Sequence, residues 1–261
     1  MGQIVRLNTV FGNKNLPVII DRDISAIEAE IRALPGLRAF WDMSDSSVRT
    51  VSNGKITKIL DKSKTGNHLI AEAATAPVLD NSILGGASSA YFDGSAGMVS
   101  EGNLAERAWD KLTFVIFAMK SEVTTPINTV LIVGKTNATV SVYSNNNNIG
   151  INSANLFLTT GGGLIGKPLS IIASTLFSEM RSAIRMEERH VSSANLAPRT
   201  LKAEPIYVGK WSDGADPNNA INWKGYIGHV MVFEDFLEEN QYASDLLLEY
   251  SRRKYNTPAW E

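Results

Sequence analysis

Short apolar runs separated by glycine- and asparagine-rich breaks fill the middle of the chain, at residues 112–119, 129–133, 139–143, 148–151, 155–158 and 169–173. Runs this short, bounded by turn formers and following one another closely, predict strands of a sandwich or barrel. Earlier strands are predicted at 37–42, 56–60, 68–70 and 89–94, the last closing on the turn pair Asp93-Gly94. Asp61-Lys-Ser-Lys-Thr-Gly-Asn67 joins two of them and is rich in side chains that stabilise their own turns. Asn145-Asn-Asn-Asn148 and Gly161-Gly-Gly163 read as loop tips. Between 180 and 191 the spacing is near two, with Ile184 and Met186 set against Ala183, Arg185 and Glu187, so a strand pair is expected. Residues 206–211 and 222–233 give a strand, a loop and a strand. Strict alternation in the second strand puts Ile227, His229, Met231 and Phe233 on one face and Tyr226, Val230 and Val232 on the other. Both faces are mostly apolar, which predicts a strand covered on both sides.

Two segments change period. Ile27, Ile31 and Leu34 share one face at helical spacing, Ser25 and Glu28 form a Ser-x-x-Glu capping box, and Pro35-Gly36 stops the helix. After Phe233, Asp235-Phe-Leu-Glu238 is expected to cap a second helix with Ala243, Leu246, Leu247 and Tyr250 as its buried stripe. Arg252, Arg253 and Lys254 fall in its last turn, where positive charge complements the helix dipole. Residues 1–22 scatter Ile4, Val5, Leu7, Phe11 and Leu16 among Asn, Gly and Pro, the pattern of an extended arm. Such an arm either anchors the protein in an assembly or docks on its own domain, and both readings stand. The expected organisation is an arm at 1–22, a short helix or linker at 23–36, and one β-rich domain at 37–261.

Composition narrows the function classes. A chain of 261 residues with 44% hydrophobic residues supports a sizeable core. With 20% charged residues and a net charge of -2, no overall field draws it to nucleic acid or an anionic membrane surface. The absence of cysteine excludes disulfides, thiolate metal ligands and cysteine nucleophiles. No apolar run has the length of a signal peptide or a membrane span, so a soluble chain made without a secretion signal is expected, with no nucleic-acid or membrane partner.

Taken together, Gly36-Leu-Arg-Ala-Phe-Trp-Asp42, Asp61-Lys-Ser-Lys-Thr-Gly-Asn67, Ala90-Tyr-Phe-Asp-Gly94, Leu112-Thr-Phe-Val-Ile-Phe117, Ile206-Tyr-Val-Gly209, Trp223-Lys-Gly-Tyr-Ile-Gly228, Val230-Met-Val-Phe233 and Arg253-Lys-Tyr255 resemble a known module. It is the LamG-like jelly roll of the concanavalin A-like lectin/glucanase superfamily, in the version found in bacteriophage structural proteins. The resemblance implies an all-β fold, a two-sheet antiparallel jelly-roll sandwich with a short N-terminal helix and a C-terminal helix. Fold alone implies no activity.

Glucanase relatives carry carboxylates in a Glu-x-Asp-x-x-Glu arrangement on one strand, and this chain has none. Glu187 and Glu188 are adjacent and would point to opposite faces of a strand. His68, His190 and His229 lack metal-ligand spacing, and there is no Gly-x-Ser-x-Gly or phosphate-binding glycine loop. A non-enzyme without cofactor is expected. The best binding candidate is the loop Lys210-Trp-Ser-Asp-Gly-Ala-Asp-Pro-Asn-Asn219, continued to Trp223. Trp211 and Trp223 can stack on sugar faces, while Asp213, Asp216, Asn218 and Asn219 offer hydrogen bonds or oxygen ligands for Ca²⁺. Their spacing is not that of an EF-hand, so no specific motif supports the metal. The plainer alternative, a turn-rich loop whose tryptophans anchor its ends in the core, weighs more heavily. The resemblance implies a non-enzymatic virion structural protein serving tail or baseplate attachment and host-surface glycan recognition. Its partners would be other virion proteins and further copies of itself, a trimer suiting a tail appendage. The alternatives are a capsid decoration or cementing protein and, from a different class, a glycan-active enzyme or lectin accessory domain.

Overall fold

The computed structural model describes residues 23–104, 109–121, 128–134, 141–145, 148–151, 156–159, 165–186, 189–193, 205–210 and 222–257. Helix α1 (Ile24–Ala33) comes first. The strands that follow are β1 (Leu37–Asp42), β2 (Arg49–Ser52), β3 (Lys55–Ile59), β4 (Leu69–Ile70), β5 (Val78–Leu84), β6 (Ala87–Asp93), β7 (Met98–Ser100) and β8 (Lys111–Lys120). They continue as β9 (Asn128–Gly134), β10 (Ser141–Asn145), β11 (Asn148–Ile151), β12 (Leu156–Thr159), β13 (Pro168–Leu176), β14 (Arg181–Met186), β15 (Arg189–Ser193), β16 (Ile206–Val208) and β17 (Lys224–Phe233). Helix α2 (Gln241–Lys254) closes the domain.

β17 is the axis of the first layer. β8 pairs with one side of it, from Gly225 opposite Lys120 to Phe233 opposite Thr113. Its other side is shared, with β6 along Lys224 to Ile227 and β1 along His229 to Phe233. Beyond β8 the layer continues through β13, β14 and β15. The second layer runs β2, β3, β4, β7, β16, β9, β10, β11 and β12. All these pairings are antiparallel, and the architecture is the expected two-sheet sandwich with a helix near each end of the chain. Trp41, Phe92, Phe114, Ile116, Ile171 and Val230 from the first layer meet Ile56, Leu69, Met98, Val142, Ile149 and Val208 from the second in the main core.

The outer face of the first layer is buried as well. Phe40, Val115, Ile172, Met231 and Phe233 pack under Ile27 and Ile31 of α1 and Leu246, Leu247 and Tyr250 of α2. Coverage on both faces explains why β8 and β17 read as continuous apolar runs. The predicted faces of β17 need one correction. The register shifts between Ile227 and His229, so Ile227 joins Val230 and Val232 in the inter-sheet core while Met231 and Phe233 face the helices. A bulge adds one residue to one strand and reverses the alternation beyond it. Gly228 sits at that bulge because a Cβ there would lie 2.5 Å from the Tyr255 hydroxyl oxygen.

Both helix starts also differ from expectation. Asp23, not Ser25, caps α1, its carboxylate accepting from Ala26 N at 2.7 Å and from the Ser25 hydroxyl at 2.7 Å. Glu28 turns instead to the Lys62 ammonium at 2.6 Å. α2 is capped by Asn240, whose side chain accepts from Ala243 N at 3.0 Å, while Leu237–Glu239 form a separate 3₁₀ turn. In each case the cap is the Asp or Asn directly before the first helical residue, because only from there does the side-chain oxygen reach the free N–H groups of the first turn; Ser25 already lies inside α1 and Asp235 lies before the 3₁₀ turn. The buried stripe Ala243, Leu246, Leu247 and Tyr250 and the β14–β15 pair are as expected.

The 61–67 turn proves to be a hub. The Asp61 carboxylate accepts from the backbone N–H groups of Phe40 at 2.8 Å, Ser63 at 2.8 Å and Asn67 at 3.1 Å, and from the hydroxyls of Ser63 and Thr65. Trp41 Nε1 donates to Asn67 O at 2.6 Å. The loop is therefore fastened to β1 through two independent hydrogen-bonding groups. Among the described residues no helix is long and apolar enough to cross a membrane.

Candidate functional site

Trp211, Asp213, Asp216, Asn218 and Asn219 of the candidate loop lie outside the described residues, as do Ile4, Val5, Leu7, Phe11 and Leu16 of the arm and the Glu187-Glu188 pair. The two ends of the loop are described. β16 ends at Val208, and Gly209 O accepts from Trp223 N at 2.9 Å, so the chain leaves and returns at one place. Buried Asn222 donates from Nδ2 to Gly94 O at 3.0 Å. Lys210 packs its methylenes on Gly97 and holds its ammonium 5.4 Å from the centre of the Tyr207 ring. The Lys224 methylenes pack on Gly94. The two ends of the loop thus sit at a rim made of Lys210, Asn222, Lys224 and the turn at 93–97.

That turn is held by Asp93, whose carboxylate accepts from Ser95 N, the Ser95 hydroxyl and Ala96 N at 2.8, 2.7 and 2.9 Å. Burial alone would raise its pKa, but these donors outweigh burial and hold it below the ordinary carboxylate value. Trp223, proposed as a stacking residue, is 2% exposed and belongs to the inter-sheet core. Its ring packs on protein rather than offering a face to solvent. The rim presents the ammonium groups of Lys210 and Lys224, which suit a polyhydroxylated ligand, while the Asn222 amide is buried and spent on Gly94 O and the Ser95 hydroxyl is spent on the Asp93 carboxylate that holds the turn.

A second polar cluster went unanticipated. Asp42, wholly buried at the end of β1, takes a hydrogen bond from Lys254 Nζ and lies 3.3 Å from Lys62 Nζ. Lys62 also pairs with Glu28 at 2.6 Å and Asp45 at 2.9 Å. The Tyr250 hydroxyl accepts from Lys254 Nζ at 2.8 Å and donates to Glu28 at 3.1 Å. Burial by itself would raise the Asp42 pKa, and the Lys254 and Lys62 ammoniums outweigh it so that the acid stays below its ordinary value. Burial likewise works against the Lys62 charge, yet Asp42, Glu28 and Asp45 hold its pKa above the ordinary lysine value. The cluster ties α1, β1, the 61–67 turn and α2 together. The one available signal was an acid closing an apolar strand, since such residues are almost never fully buried unless paired.

Beside it, His229 is fully buried and its pKa falls to about 3, chiefly from burial. Its Nδ1 lies 3.1 Å from the Tyr255 hydroxyl and its Nε2 3.5 Å from the Ser251 hydroxyl. Ser251 already donates to Leu247 O at 3.1 Å and is 1% exposed, so this serine and histidine form a sealed packing unit. His68 accepts from Asp61 N at 3.0 Å, and His190 meets Glu238 at 2.6 Å. Among the described residues no group of three or more His, Asp or Glu side chains is placed to hold a metal.

No family model and no curated protein matches the chain. Its likeness is to solved structures. A Trypanosoma rangeli sialidase in complex with sialic acid aligns with a TM-score of 0.56 at 10% identity, over 88% of this chain and 38% of the sialidase. The binding domain of botulinum neurotoxin serotype D aligns at 0.56 and 12% identity, over 86% of this chain and 52% of that domain. The receptor binding domain of the mosaic serotype C/D toxin aligns at 0.54 and 11% identity, over 82% and 50%. The chain spans about a third to a half of these structures, and the likeness is one of fold.

Proposed function

We propose that this protein is a non-enzymatic recognition module, a sandwich that binds glycans through the loop between β16 and β17. The observation that carries this reading is the shared sandwich, found in a sialidase solved with sialic acid and in toxin domains described as binding and receptor-binding. The rim supports it, because Lys210 and Lys224 place ammonium groups at the foot of a loop whose sequence carries Trp211 with several Asp and Asn residues. Stacking and several directed hydrogen bonds are the usual means of holding a sugar ring. The non-enzyme reading is supported by the sealed Ser251 and His229 and by the absence of a clustered carboxylate motif. The virion setting, in a tail or baseplate and with other virion proteins and further copies as partners, rests on the resemblance to phage structural modules. In that setting residues 1–22 are the anchor.

A glycan array probed with the intact protein tests the reading. Binding to a defined set of saccharides is expected, with Trp211→Ala lowering affinity about tenfold, the loss of roughly 1.4 kcal/mol of stacking. No bound saccharide, or unchanged affinity in a folded Trp211→Ala variant, contradicts the loop assignment. Release of hydrolysed sugar contradicts the non-enzyme assignment.

A further inference from the structure

β8 ends on Lys120, a lysine that is 3% exposed. Its Nζ lies 3.0 Å from the Ser144 hydroxyl of β10 in the facing layer, so the side chain runs between the two sheets. Among the described residues no carboxylate pairs with it. Lysines are almost never this buried without a counter-charge, and burial depresses the amine's pKa. A second donor lies in the same layer. Trp223, in the inter-sheet core, has a buried Nε1 with no hydrogen-bond partner among the described residues. Register sets the two residues at one end of this layer, two positions apart along the β8–β17 pair, since Gly225 stands opposite Lys120 and Ser121 N donates to Lys224 O at 3.2 Å. A Cβ at Gly225 would lie 2.3 Å from Met119 O and 2.9 Å from Lys120 Cα, so the glycine lets β17 approach the end of β8.

Lys120 and the Trp223 indole offer hydrogen-bond donors with no acid to receive them among the described residues. The group that complements such a set is an acceptor-only oxyanion. We propose that Lys120 and Trp223 form an oxyanion site at the end of the sandwich that carries the β16–β17 loop, taking the carboxylate or sulfate of an acidic saccharide. The saccharide part rests on the glycan reading above; the oxyanion part does not. Because the site uses a charge that is otherwise uncompensated, it selects acidic over neutral sugars.

Thermal unfolding of the intact protein in glucuronic acid, glucose or sulfate at matched ionic strength tests this. Glucuronate in about hundredfold excess over its Kd should raise the wild-type midpoint by several degrees, and glucose should not. Lys120→Met should abolish the shift and, by removing an unpaired buried amine, raise the ligand-free midpoint. Trp223→Phe, which keeps the ring and deletes the N–H, should at least halve the shift and serves also if Lys120→Met does not fold. Equal shifts in wild type and variants overturn the site, as does no shift with either anion, which means that water alone fills the place. A shift with sulfate but not glucuronate overturns the saccharide part. Binding of neutral glycans on the array without a glucuronate shift leaves the glycan reading standing and defeats this one. A glucuronate shift lost in Lys120→Met supports the site even if the array is blank.

Discussion

Replacing Asp42 with Asn would leave two ammoniums facing a neutral amide inside the seam between β1, α1 and α2. Breaking a buried ion pair from one side typically costs about 3–5 kcal/mol, because the surviving charge stays desolvated. Asp42→Asn is therefore expected to lose stability on that scale in urea unfolding, while Lys254→Met should lose less because Lys62 still answers Asp42 at 3.3 Å. His229 makes a separate prediction. Above its unfolded pKa of about 6.5 the imidazole is neutral in both states; below it the unfolded chain takes a proton that the folded chain refuses until about pH 3. Stability should fall by about 1.4 kcal/mol per pH unit as pH drops through that window. Asp42 and Asp45, held below the ordinary carboxylate value, add their loss only below about pH 4. His229→Gln should flatten the limb between pH 6.5 and 4 and spare the acid limb; an unchanged limb in urea titrations would show that His229 does not set it.

At the scale of elements, β17 shows what a strand pattern conveys and what it conceals. Its apolar character on both sides was legible because both sides are covered, one by the second sheet and the other by α1 and α2. The bulge was not legible, because the reason for Gly228 is the Tyr255 ring that returns from the end of α2. Gly228→Ala is expected to cost about 1–3 kcal/mol, since the new methyl must displace that ring or reset the bulge, and thermal unfolding measures it. The 61–67 turn was legible as a turn from its own residues, whereas its fastening to Phe40 and Trp41 depended on pairing across the fold. The caps failed for a local reason. Ser25 and Glu28 matched a capping box, yet Asp23 lay two residues earlier and Glu28 had a stronger partner in Lys62. The Asp42–Lys254 contact joins residues 212 apart in sequence, a separation across which no periodicity carries information.

Taken whole, the molecule commits its chemistry-bearing groups unevenly. The centre of the first layer is closed on both faces, and His229, Ser251, Lys62 and Lys254 are consumed in holding helices to the sheet. The end of the sandwich where β16 and β17 exchange the candidate loop is different. There the rim carries Lys210 and Lys224, and just inside it Lys120 has no acid among the described residues. On the proposed reading, recognition at this end leaves the rest of the fold as scaffold, in keeping with the rule that binding groups sit on loops positioned by rigid elements. The most direct test is an amide chemical-shift titration of the intact protein with a saccharide selected from the array. The account predicts saturable shifts at Gly209, Lys210, Asn222, Trp223, Lys224 and the 93–97 turn, with α2 and His229 unmoved. Shifts confined to another surface, or none at saturating saccharide, would contradict it.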